Sequence, residues 1–168
     1  MWCFERRRLL LLPALMALGA CGFAPLYGEG TPAAAMNGQV TVDVIEGEAG
    51  FLLRERLTER LGPAEDPAYR LAIDLTLRQV GVALTQQNVT TRYNVIGTAA
   101  FAVTPVDGGP PVLVDEVRAI TGYSAPESSA VSAFAALAAE RAAGQRLAAE
   151  LADRIVLRLA LLAEDGAA

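Results

Sequence analysis

The tetrapeptide Leu18-Gly19-Ala20-Cys21 carries the clearest chemistry in this chain. A cysteine after two small residues, with leucine three places upstream, has the form of a bacterial lipobox. Its sulfur is then consumed in a thioether to lipid, and the chain is cut in front of it. The upstream residues fit. Arg6, Arg7 and Arg8 form a basic start, and Leu9 to Leu18 is an apolar run interrupted only by Pro13. About ten apolar residues suit an export signal, whereas about twenty are needed to span a bilayer as a helix. An ordinary secretory signal with a chance cysteine, or a short membrane anchor, would not require that leucine. The expectation is removal of residues 1–20 and a mature chain that begins at acylated Cys21.

That modification settles the remaining sulfur chemistry. The chain has two cysteines, and Cys3 lies in the removed segment. Cys21 is then unavailable for a disulfide, although an export compartment permits them. It is equally unavailable as a nucleophile. Each buried methylene contributes about 0.8 kcal/mol, and two chains already anchor a protein stably. A triacylated, palmitate-bearing cysteine therefore holds the chain on its membrane permanently. Gly22 follows the cysteine. Many lipoproteins retained at the inner membrane carry Asp there, so the expectation is the periplasmic side of the outer membrane.

Other catalytic arrangements are missing from the sequence. There is no His and no Lys, so the serines from Ser124 to Ser132 have no conventional base. The usual zinc and copper ligand sets are also lacking. Asp115-Glu116 could suggest a glycosidase pair, but neighbours in a strand point to opposite faces. Asp43, Glu46 and Glu48 have no EF-hand spacing. Gly108-Gly109 runs into Pro110-Pro111 rather than into a helix, so it cradles no phosphate. The expectation is a protein that is not an enzyme and uses no metal or cofactor. The chain has a formal charge of −5 from 14 basic and 19 acidic residues. Loss of Arg6, Arg7, Arg8 and Glu5 with the signal takes this to −7. Nucleic-acid binding rests on a basic footprint, which this composition does not supply.

Four segments divide the chain: the signal (1–20), a lipidated tether (21–38), one folded domain (39–163) and a frayed tail (164–168). The tether is rich in Gly, Pro and Ala, yet Phe23, Leu26 and Tyr27 could dock on a partner or on the domain. Val40, Val42 and Val44 alternate as a strand. Leu53, Leu57 and Leu61 recur at helical spacing over 51–61, and Gly62-Pro63 ends that helix. Tyr69 to Leu77 alternates strictly. The apolar phase then slips to Val80, Val82 and Leu84, which implies a bulge or bend. Strands are expected at about 91–103 and 112–123, with a turn over 107–110. A long helix over 129–162 carries Phe134, Leu137, Gly144, Ala148, Leu151, Ile155, Leu159 and Leu162 on one stripe. Gly144 on that stripe suggests a close approach to a neighbour, and Arg141 beside it would have to snorkel. The order β-α-β-β-β-α predicts an α+β two-layer sandwich, a mixed four-stranded sheet with both helices on one face. The opposite face would be small and polar, with Asp74, Thr76, Arg78, Arg92, Asn94 and Thr98.

The segment Cys21-Gly22-Phe23-Ala24-Pro25-Leu26-Tyr27-Gly28 resembles the mature start of the LptE family of lipopolysaccharide (LPS)-assembly lipoproteins. Thr91-Arg92-Tyr93-Asn94 at the head of a central strand, and Ala133-Phe134-Ala135 with Glu140 and Ala143, extend that resemblance along the domain. It implies an outer-membrane subunit of the LPS translocon. Such a subunit plugs and helps assemble the β-barrel LptD, and helps insert lipopolysaccharide into the outer leaflet. It also implies LPS contact through basic residues near strand ends. The turn at Gln86-Gln87-Asn88 has no basic residue, and the 125–131 loop has only Glu127 as a charge. Arg78, Arg92 and Arg118 are therefore the candidates for binding phosphate groups. A different class, an auxiliary lipoprotein of an intermembrane lipid ABC-type transport system, would share the Cys-Gly start and an α+β domain.

Overall fold

The computed structural model describes residues 36–84, 90–125 and 130–167. The signal, Cys21, most of the tether, the 86–88 turn and most of the 125–131 loop lie outside them. The described elements are β1 (Val40–Val42), α1 (Gly47–Leu61), β2 (Tyr69–Leu84), β3 (Thr90–Pro105), β4 (Leu113–Ser124) and α2 (Ala130–Ala167). They form the expected four-stranded mixed sheet in the order β1-β2-β3-β4. β1 runs parallel to β2, and the other pairs are antiparallel.

Alternation along the strands sorts the two faces. Leu71, Ala99, Phe101, Val103, Val117 and Ala119 are buried on one side. Onto them pack Leu53, Leu57 and Leu61 of α1 and Leu147, Leu151, Ile155 and Leu159 of α2. A fully buried side chain of this size contributes about 1.5–3 kcal/mol, so this single core holds both helices to one face. The Arg60 guanidinium of α1 hydrogen-bonds Asp153 of α2. Arg54 Nε donates to the Val42 carbonyl at 3.1 Å, tying α1 to β1.

Several local expectations change. β1 stops at Val42, and Val44 is 80% exposed. α1 starts at Gly47, four residues before the leucine spacing becomes visible. The expected irregularity comes later than the slip after Leu77: pairing is regular from Tyr69↔Pro105 to Gly81↔Tyr93, and the register shifts fall between Gly81 and Leu84. Val80, paired with Asn94, belongs to the opposite face, and Val82 sits within the register shift. Gly144 makes no close approach, because a Cβ built there would meet nothing within 4 Å. The close approach is at Gly97 in β3, where a Cβ would lie 3.0 Å from both Leu147 Cδ2 and Leu151 Cδ1. Phe134 and Leu137 are 76% and 43% exposed rather than part of the core.

The lengths explain that exposure. β2 and β3 have 16 residues each, about 53 Å of strand. α2 has 38 residues, about 57 Å, and α1 has 15, about 22 Å. The short helix covers only part of the sheet, and the first turns of α2 run on without a partner helix.

Candidate functional site

Among the described residues no helix covers the second face of the sheet. Register places Thr76 beside Thr98 and Thr98 beside Arg118. It places Asp74 beside Ala100 and Ala100 beside Glu116, with Ala72, Ala102 and Val114 in the next row. Ala and Thr at the centre keep this face flat. It is also less polar than the sequence suggested. Arg78, Ile96 and Ile120 form a row, and Val114 and Ile120 are 71% and 59% exposed. Isoleucine and valine suit strands whatever face they occupy, so alternation alone did not separate them from core positions.

The three candidate arginines all lie on this face and all are exposed. Among the described residues none of the three forms an ion pair with a carboxylate. Arg78 and Arg118 flank the Ile96–Ile120 row, two strands apart with a two-residue offset. At ordinary strand spacings that puts their backbones about 12 Å apart. Arg92 sits away from them, opposite Ser124 near the end of the sheet. Two candidates are thus brought to one patch and the third is not. Arg70, on the same face, lies 3.9 Å from Asp43. Among the described strand residues of this face, Arg78, Arg92 and Arg118 stand against Asp74 and Glu116, an excess of positive charge on an acidic chain.

The helix side is organised differently. Asp115 points to it and pairs with Arg158 at 3.1 Å, whereas Glu116 points the other way. The two acids of that candidate pair are therefore separated by the sheet. Arg154 Nη1 donates to the Arg118 carbonyl at 2.5 Å, and Arg146 Nη2 to the Gly122 carbonyl at 3.1 Å. These bonds cap outward-pointing carbonyls of the edge strand β4. Toward one end of this side, Tyr93 and Tyr123 stack with centroids 5.3 Å apart, and Gln79 Nε2 donates to Tyr123 Oη at 2.5 Å. Burial, then the nearby Glu140 carboxylate, raises the Tyr123 pKa, with Tyr93 adding a little and the Gln79 bond opposing it. The sequence offered no signal for the capping arginines, because their partners are backbone atoms distant in the chain.

Several bacterial lipoproteins share this fold of a four-stranded sheet with two helices. A Caulobacter crescentus protein described as a lipoprotein superposes with a TM-score of 0.63 at 22% identity, covering 79% of this chain and 96% of its own. Rare lipoprotein B of Shewanella oneidensis gives 0.58 at 19% identity, covering 77% and 99%. A minor lipoprotein of Acinetobacter baumannii gives 0.54 at 13% identity, covering 75% and 93%. At these identities the likeness is one of fold. A search of curated proteins finds no match to the chain. The LptE lipopolysaccharide-assembly family model matches residues 38–159, most of the chain, and the protein belongs to that family.

Proposed function

We propose that this protein is a lipid-anchored subunit of the outer-membrane LPS translocon, held at the periplasmic face through Cys21. In this reading it plugs an LptD-like β-barrel, assists the assembly of that barrel, and helps insert lipopolysaccharide into the outer leaflet. It performs no catalysis. The family match over residues 38–159 carries the proposal. The bare sheet face supports it. Large outer-membrane barrels have polar lumens that can be filled by a plug, and a flat Thr/Ala face with flanking arginines can lie against such a wall. Arg78 and Arg118 are the proposed phosphate contacts, since a guanidinium binds phosphate through paired hydrogen bonds. Arg92 would act separately at its own end of the sheet.

Depletion in the native host tests this reading. The amount of correctly folded barrel and the lipopolysaccharide reaching the cell surface should fall together. Normal surface lipopolysaccharide after complete depletion would overturn it.

A further inference from the structure

β2 is an edge strand for most of its length. β1 pairs with only Tyr69, Arg70 and Leu71. The adjoining bond, from the Asp43 amide to the Leu71 carbonyl, is 3.0 Å long. Among the described residues no strand pairs with that side of β2 beyond this point. The Tyr69 amide and the Leu71 carbonyl both point to β1, so the backbone groups of Ile73, Leu75, Leu77 and Gln79 point out of the same edge. An exposed edge of this length invites another strand. On the opposite edge, β4, two carbonyls, those of Arg118 and Gly122, are capped by Arg154 and Arg146.

A groove of about 570 Å³ runs beside the open edge. Leu75, Leu77 and Val95 of the sheet, Leu52 of α1, and Leu137 and Leu147 of α2 line it. It exists because α1 is too short to cover this part of the sheet. Three acids, Glu46, Glu48 and Glu140, border it against one cation, Arg141, which disfavours an anionic occupant.

We propose that the tether segment Phe23-Ala24-Pro25-Leu26-Tyr27 of this same chain occupies the groove, extended and antiparallel to β2. The direction follows from where the tether meets the domain. Met36 is buried in the core, and the Gln39 carbonyl accepts the Tyr69 amide, so the chain enters at the start of β2. Tyr69 to Leu75 is about 20 Å of strand. The nine residues from Tyr27 to Met36 reach about 30 Å, enough to pass β1 and place Tyr27 opposite Leu75. Phe23 then lies opposite Gln79, and both rings enter the groove beside the leucines. Pro25, opposite Leu77, cannot donate, so the Leu77 carbonyl remains hydrated while the Leu77 amide is bonded. Phe23, Leu26 and Tyr27 are the large apolar residues between Cys21 and Met36, and the 23–27 segment is uncharged. A short tether supplies a local concentration in the millimolar range, which a free competitor must exceed. Docking would put Cys21, two residues before Phe23, at the far end of β2 and so set which end of the domain faces the membrane.

Amide hydrogen exchange on the mature lipoprotein in detergent tests this. The Leu75 and Leu77 amides should exchange at least about tenfold more slowly than in the F23S/L26S/Y27S variant. The far-UV spectrum should be the same for both. Equal exchange in the two proteins overturns the proposal. So does protection that rises with protein concentration, which would mark a second copy, or protection that requires added barrel. A second measurement uses a C21S background. F23C with Q79C should close an intramolecular disulfide on mild oxidation, because directly opposed strand residues lie about 5.5 Å apart. F23C with T98C, on the other face, should not. Equal yields from both pairs would contradict the register.

Discussion

Gly97 in β3 and Gly144 in α2 respond oppositely to an added side chain. A Cβ at Gly144 meets open space. Glycine in a helix interior costs about 1 kcal/mol relative to alanine, so Gly144→Ala should stabilise the domain by about that amount. For a domain of this size, the midpoint of thermal unfolding should rise by about 4 °C. At Gly97 the first added carbon already lies 3.0 Å from the ends of Leu147 and Leu151, two of the most buried side chains of α2. The branched methyls of Gly97→Val must push those leucines off their rotamers or lift the helix, at about 1–3 kcal/mol. Urea unfolding of the mature chain carrying Cys21→Ser reads both as shifts in midpoint at constant slope. A loss of stability in Gly144→Ala would mean that a neighbour lies within 4 Å of the added methyl, against the open space at this position. No loss in Gly97→Val would refute the packing of α2 on β3.

Three other outcomes follow from the same geometry. Cys21→Ala should abolish acylation and release the protein from the membrane, and mass spectrometry showing acyl chains still present would contradict the lipobox. The Tyr123 pKa is raised above the usual 10.0, so the native state favours the neutral phenol. Its contribution is complete below pH 10 and is lost as the pH climbs beyond that. In a spectrophotometric titration Tyr123→Phe should remove a component that titrates above 10, and an unchanged upper limb would refute the assignment. Replacing Arg146 and Arg154 together by alanine uncaps the β4 edge. Because both are largely exposed, stability should fall by no more than about 1 kcal/mol, while self-association measured by sedimentation should increase.

The element order was legible because each core face announces its own period. Tyr69 to Leu77 alternates since helices cover that side of β2, and Leu53, Leu57 and Leu61 recur since only one stripe of α1 is buried. Legibility failed where the layers end. Beyond Leu77 the inner face has less helix above it, so Gln79 sits there without penalty and Val80 appears on the outer face. That mimics a slip in phase although the ladder is unbroken to Gly81. Phe134 and Leu137 continue the apolar stripe of α2 past the point where the packed core stops. The start of α1 was hidden because Gly47, Ala49 and Gly50 have no large side chain, even though Gly50 is buried against Ile45. For the candidate site, the sequence placed Arg78, Arg92 and Arg118 in strands. It could not show that Arg78 and Arg118 share a patch while Arg92 lies apart, because that depends on the register of three strands. The open edge of β2 was equally invisible, since it follows from β1 ending at Val42.

The central claim, a plug subunit of an outer-membrane barrel, is tested most directly by affinity purification of the tagged, lipidated protein from detergent-solubilised outer membranes. One large, heat-modifiable β-barrel should co-purify in near-equal amount and remain bound through washing with high salt. Recovery of the lipoprotein alone, or with an inner-membrane ATPase complex in place of a barrel, would contradict it.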